Sequence, residues 1–215
     1  MLKAAGLSRV NISLDSLDAS RFSFLTHGGQ LADTLRGIDW ALIAGLTPLK
    51  LNVVLQRTSW KNEVPSLLSF AAANSLNIRF IELMQTGTES GWCESEFVPI
   101  GEVMAWLSER RGVTPVHSPD GTPARNTLVF WRGQVIDVGW IAPRSHPFCS
   151  RCERLRLDPR GFLHRCLMDS SMLSLQPIIR NQTGTNSEQA FHDYMRGKVA
   201  PQAMESKTSM SLIGG

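Results

Sequence analysis

No run of about 18 consecutive apolar residues occurs in this chain, so no segment reads as a bilayer-spanning helix. The opening MLKAAGLSRVNISLDS has a lysine but neither an apolar core segment nor a cleavage site, which argues against secretion and for a cytoplasmic protein. Internal repeats and low-complexity stretches are lacking too. Cysteine is scarce: four in 215 residues do not make a disulfide scaffold. Without a signal peptide, a close-spaced group of them points to metal binding or redox chemistry. Strong net charge is also lacking. A balance of +3 gives no reason to expect a nucleic-acid partner, and no membrane partner is expected either. What remains is an ordinary globular composition, 42% hydrophobic and 19% charged, in a length that suits one large domain or one and a half average ones.

Strands and helices alternate along the first half. RVNISLD (9–15) reads as a strand, and QLADTLRGIDWALIAGL puts Leu31, Leu35, Ile38 and Leu42 on one helical face before a stop at Gly45. PLKLNVVLQ (48–56) reads as a second strand. EVPSLLSFAAANSL (63–76) reads as a helix with Pro65 in its first turn. NIRFIELM (77–84) predicts a third strand, followed by a polar loop holding Gly87, Gly91 and Cys93, and then a helix over 99–112. This order argues for right-handed βαβ units and a parallel sheet. The expected fold class is α/β, a partial TIM-type (β/α) barrel over 1–112 with an α+β extension over 113–215. A self-contained three-layer domain is the alternative. In the extension, NTLVFW and QVIDVGWIA flank Arg132-Gly133 as a hairpin, and LRLDPRGFLHRCL reads as two short strands around Asp-Pro-Arg-Gly. Helices are expected near 172–180 and 187–199.

Three of the four cysteines lie in CSRCERLRLDPRGFLHRC, spaced Cys149-x2-Cys152-x13-Cys166. By spacing alone two readings stay open. A structural zinc needs a fourth ligand, for which His146, His164 or Cys93 could serve. An iron–sulfur cluster could take three thiolates and leave one iron open to a substrate atom. Arg151, Arg154, Arg156, Arg160 and Arg165 surround the thiols; guanidinium forks suit phosphates, and a purely structural zinc has no need of them. Lys50 and Arg79 sit on apolar strands, where charge needs a partner: a phosphate, or a carboxylate such as Glu82 or Asp15.

RVNISLDSL at Arg9, LKLNVVLQR at Leu49, IRFIELMQTG at Ile78, the FCSRCERLRL segment from Phe148 and the terminal IGG together resemble, in order, the GTP 3′,8-cyclases of molybdenum cofactor biosynthesis. These are radical S-adenosylmethionine enzymes. The resemblance implies a [4Fe–4S] cluster on Cys149, Cys152 and Cys166, with the purine of GTP at its open iron. It implies GTP contacts from Lys50, Arg79, Arg154, Leu155 and Arg156, and an S-adenosyl-L-methionine site lined by Ser13 and Met84. Gly214 and Gly215 would form a tail that enters the active site, since glycine permits close backbone approach.

The implied reaction is a lyase-type cyclisation: a deoxyadenosyl radical takes hydrogen from the GTP ribose, and the carbon radical attacks C8 of guanine. A homodimer is implied for the complete enzyme. The family's Cys-x3-Cys-x2-Cys segment is not present, so this chain is expected to be a C-terminal portion, inactive alone. Glu153 stands where the family usually has Asn. The competing function is a non-catalytic zinc- or cluster-bearing nucleotide-binding module.

Overall fold

The computed structural model describes residues 1–86, 90–110, 113–115, 123–169, 171–180, 187–198 and 205–206. In chain order the elements begin β1 (Val10–Ser13), α1 (Ala19–Leu25), α2 (Leu31–Ile43), β2 (Leu49–Leu55), α3 (Trp60–Ala73) and β3 (Asn77–Glu82). Next come β4 (Gln85–Thr86), α4 (Ser90–Glu96), α5 (Ile100–Ser108), β5 (Val113–Pro115), β6 (Arg125–Trp131) and β7 (Gln134–Ile141). A single 3-10 turn at Cys149–Arg151 leads to β8 (Arg156–Leu157), β9 (Phe162–His164), β10 (Met172–Ser174), α6 (Gln176–Ile179), α7 (Ser187–Arg196) and β11 (Glu205–Ser206). Among the described residues no helix is long and apolar enough to cross a membrane.

The chain divides into two compact units. One comprises Met1–Leu83 and Glu96–His146, the other Met84–Ser95 and Pro147–Gly215. The boundary expected at 112/113 is therefore displaced. The β6–β7 hairpin does not belong with the cysteine segment, because β7 pairs in parallel with β3 and carries the sheet on.

The first unit is a mixed α/β sheet in the order β1-β2-β3-β7-β6-β5. β1, β2, β3 and β7 are mutually parallel, and β6 and β5 follow antiparallel. Alternation decides its faces. Along β2, Leu49, Leu51, Val53 and Leu55 are buried while Lys50, Asn52 and Val54 are half-exposed. β3 buries Ile78, Phe80 and Glu82, and β7 buries Ile136, Val138 and Trp140. On this side the core closes with Ile38, Val64, Leu67, Leu68, Val103 and Leu107 from the helices. Each such fully buried aliphatic side chain is worth roughly 1.5–3 kcal/mol. Phe80 stacks on Trp140 at 5.4 Å, and the Trp140 indole N–H donates to Thr127 at 2.8 Å.

Helix ends follow local chemistry. Asp18 caps α1 by accepting from the Arg21 N–H at 2.7 Å. α2 ends at Gly45, φ +68°, with Leu46 N–H bonded to Ala41 C=O at 3.0 Å. α3 ends the same way, but with Ser75 at φ +54°, and Leu76 N–H reaches Ala71 C=O at 2.9 Å.

Several expectations are corrected. α3 starts at Trp60, so Pro65 lies inside the helix and not in its first turn. Full burial of Trp60 and Val64 offsets the hydrogen bond that proline cannot make. Gly91 and Cys93 lie on α4 and not in a loop; residues 87–89, with Gly87, are outside the described residues. The helix expected from Met172 begins instead as β10, paired with β9, and only Gln176–Ile179 is helical. The β6–β7 hairpin has the expected two-residue turn, Arg132 and Gly133 both at positive φ.

The second unit holds a small antiparallel sheet in the order β10-β9-β8 and a parallel pair of β11 with β4. The Asp158-Pro159-Arg160-Gly161 turn joins β8 to β9 as expected, with Gly161 at φ +83° and its N–H on Asp158 C=O at 3.0 Å.

Candidate functional site

In the first unit the half-exposed sheet face carries the polar residues. Register aligns Ser13 with Asn52, Asn52 with Arg79, Arg79 with Gly139 and Gly139 with Asn126, in one row across five strands. The neighbouring row pairs Asn11 with Lys50 and Lys50 with Asn77. Ser13 is exposed on this face. Burial lowers the Lys50 ammonium's pKa, and the Arg79 charge lowers it further. Burial likewise lowers Arg79, against the opposing pull of Asp137. The Asp137 carboxylate receives Asn77 Nδ2 through Oδ2 at 3.3 Å, while its buried Oδ1 and Asn52 Oδ1 have no hydrogen-bond partner. This face thus gathers two cations, Lys50 and Arg79, beside the Asp137 carboxylate; the two cations suit an anion, whereas the unpartnered acceptor oxygens suit a donor.

Neither carboxylate expected to neutralise Lys50 and Arg79 does so. Glu82 points to the buried face, where Oε1 accepts from Ile100 N–H at 3.0 Å and Oε2 from the N–H groups of Arg144 and Ser145 at 2.9 Å each. Asp15 accepts Val54 N–H at 2.7 Å, and burial raises its pKa. The counter-charge comes from Asp137, which sequence reading missed.

In the second unit Cys149 opens the 3-10 turn, Cys152 closes it with its N–H on Cys149 C=O at 3.2 Å, and Cys166 follows β9. All three are half-buried and free of disulfides. Burial raises the Cys149 thiol, and the Cys166 and Cys152 thiols add to that rise. Cys152 moves the other way. Burial would raise it, but the Arg154 N–H, the Arg154 guanidinium and the Lys198 charge together bring it down. Met168 N–H donates to the Cys166 sulfur at 3.4 Å. A Cys149 thiol whose ionisation its two neighbours oppose, with an amide donor at the Cys166 sulfur and amide and guanidinium donors at Cys152, fits an iron–sulfur cluster, which would share the charge of the three thiolates. Among the described residues no group of three or more His, Cys, Asp or Glu side chains is set to hold a single ion.

Each proposed fourth ligand has a polar neighbour of its own, but the buried His164 Nε2 makes no hydrogen bond. His164 Nε2 lies 3.6 Å from Asp158, His146 Nδ1 lies 3.2 Å from the Ser145 hydroxyl, and the Cys93 sulfur lies 3.8 Å from Met84 C=O. Met84 itself is half-buried just after β3.

The arginines separate into two kinds. Arg160 clasps Asp158, whose pKa falls to about 2: its burial opposes the fall, but the Phe162 and Arg160 donors outweigh it. Arg165 is bound by Asp169, Ser171 and Tyr194 C=O. Both are structural. Arg154 lies over the Phe148 ring at 5.0 Å and precedes β8, and only Arg156 falls within that strand. Leu155 between them is 39% exposed. The Arg151 side chain, and Gly214 and Gly215, lie outside the described residues. Sequence reading also missed Tyr194, Lys198 and Gly139. Gly139 alone left a signal, a glycine within a bulky β7.

Comparison with known proteins places these features in a lineage. The family described as Molybdenum Cofactor Synthesis C matches residues 76–204. A GTP 3′,8-cyclase of Pelotomaculum thermopropionicum is 41% identical over 186 residues, covering 86% of this chain and 57% of that protein. One from Pseudomonas aeruginosa is 41% identical over 181 residues, covering 82% and 53%. One from Moorella thermoacetica is 38% identical over 221 residues, covering 100% and 67%. The chain thus spans between about half and two thirds of the length of these curated relatives.

Proposed function

Because the chain belongs to the molybdenum cofactor synthesis family that includes the GTP 3′,8-cyclases, we propose that it takes part in the conversion of GTP to 3′,8-cyclo-7,8-dihydro-GTP. In this reading it is the portion of a radical S-adenosylmethionine lyase that anchors the nucleotide. The observation that carries the proposal is the thiol set Cys149, Cys152 and Cys166 with Arg154 beside Cys152 and Arg156 opening β8. These cysteines would hold a [4Fe–4S] cluster, whose chemistry when bound is Lewis-acid capture of the purine. Arg154, Leu155 and Arg156 would contact the nucleotide, the guanidiniums taking its phosphates.

On the sheet, Lys50 and Arg79 would offer further cations to the triphosphate, and Ser13 and Met84 would line the S-adenosyl-L-methionine site. Gly214 and Gly215 would act at the reacting atoms. The parallel run β1-β2-β3-β7, apolar on one face and polar on the other, supports reading the sheet as part of a TIM-type barrel whose polar face is the interior. A homodimer in the cytoplasm completes the reading.

Anaerobic titration of the iron-loaded chain with GTP and guanosine tests this. Arg156→Ala should weaken GTP binding roughly ten- to a hundredfold, the worth of one charge-assisted contact, and guanosine binding far less. Equal losses for both ligands would assign Arg156 to the fold or the cluster instead. Retention of iron and sulfide by Cys152→Ala would sink the cluster assignment.

A further inference from the structure

β7 reads QVIDVGWI, a bulky strand with a glycine at 139 and hydrogen-bonded neighbours on both sides. Glycine in such a strand forfeits packing and adds conformational entropy to the unfolded chain, so it marks a close approach. The backbone does not demand it, since Gly139 is outside the left-handed region. Space does. A Cβ there would stand 2.9 Å from Arg79 Cγ and 3.4 Å from both Ala124 Cβ and Asn126 Oδ1.

Arg79 is the direct partner of Gly139 on β3, and Asn126 is its partner on β6. The crowded atom is not the free end of the arginine. It is the second carbon from a central strand's backbone, so moving it moves the whole guanidinium. Two residues earlier on the same face, Asp137 supplies the carboxylate that favours the charged forms of Arg79 and Lys50.

We propose that Gly139 is a positioning residue for anion recognition: it clears the space in which the Arg79 side chain lies across β7, and so fixes where the guanidinium meets phosphate. The inference rests on the reading of Lys50 and Arg79 as phosphate contacts. Gly139 itself need touch no ligand.

The test titrates the full chain with inorganic tripolyphosphate in four forms: wild type, Gly139→Ala, Arg79→Ala and the double variant. GTP and guanosine are run alongside, with thermal unfolding of each protein. Gly139→Ala should weaken tripolyphosphate about tenfold, and Arg79→Ala at least as much. The double variant should bind as Arg79→Ala does, because the glycine acts only through the arginine. If Gly139→Ala alone fails to fold, adding Arg79→Ala removes the crowded carbon, and recovery of folding supports the same contact. Additive losses in the double variant, wild-type affinity in Gly139→Ala, no tripolyphosphate binding by wild type, or a double variant that stays unfolded would each overturn the proposal. The nucleotide reading fails separately, if wild type binds tripolyphosphate but holds GTP no better than guanosine.

Discussion

The two units of this chain are held together by different physics. In the sheet unit one continuous apolar core runs from Leu14 through Phe80 to Trp140, and among the described residues every member of that core belongs to this unit. In the cysteine unit the buried apolar side chains among the described residues are Cys93, Leu163 and Met168. Hydrogen bonds take their place. Tyr194 Oη sits 2.9 Å from both Leu163 C=O and Ser171 C=O and accepts Arg165 N–H at 3.2 Å, joining α7 to β9 and β10 beside Cys166. A bound cluster would strengthen the folding of this unit, because ligation free energy becomes folding free energy. The sheet unit has no such need.

That contrast can be broken most severely at Glu82, the polar exception within the apolar unit. Its buried carboxylate gathers three backbone N–H groups and the Ser145 hydroxyl, linking the end of β3 to the start of α5 and to the segment after β7. Glu82→Gln replaces one acceptor oxygen with a donor facing donors. It should destabilise the sheet unit by about 2–4 kcal/mol. Chemical denaturation followed by tryptophan fluorescence measures this, and a loss below about 1 kcal/mol would show that the core alone holds the sheet.

A smaller, more selective effect is expected from Tyr194→Phe. Removing the hydroxyl strands the Arg165 N–H and takes away the one O–H that the Leu163 and Ser171 carbonyls share, at about 1–2 kcal/mol. Hydrogen exchange should quicken at β9 and β10 and stay unchanged at β2 and β3. Equal quickening in both places would mean that the units do not differ as described.

The smallest change sharpens the comparison from the stabilising side. Ser75 occupies at the end of α3 the left-handed position that Gly45 occupies at the end of α2. Ser75→Gly should raise sheet-unit stability by about 0.5–1 kcal/mol, seen as a melting temperature a few degrees higher. An unchanged or lower melting temperature would place the serine's contribution in contacts that glycine lacks.

Much of this was legible in one dimension because period and turn chemistry are local. LKLNVVL alternates, and β2 buries every second residue as that alternation requires. Gly45 stops α2, Arg132-Gly133 turns the hairpin, and Asp158 to Gly161 turns β8 into β9. Where reading failed, tertiary contact had overruled a local cue. Pro65 suits a first turn, but buried Trp60 extends the helix a full turn ahead of it. Gly91 suggests a loop, but it lies on α4 with buried Cys93.

For the candidate site the division is sharper. Sequence by itself determined the three thiols at their spacing, the arginines among them and the cations on β2 and β3, because residue type and separation along the chain settle what chemistry is on offer. Only the tertiary structure decided which of those groups are committed. Arg160 and Arg165 are held by Asp158 and Asp169, Glu82 belongs to backbone N–H groups, and Asp137 of β7 answers Lys50 and Arg79. β7 lies some sixty residues beyond β3 in the chain, and its place beside it is set by strand pairing. Burial and hydrogen bonding depend on neighbours in space, and no local pattern encodes who those neighbours are.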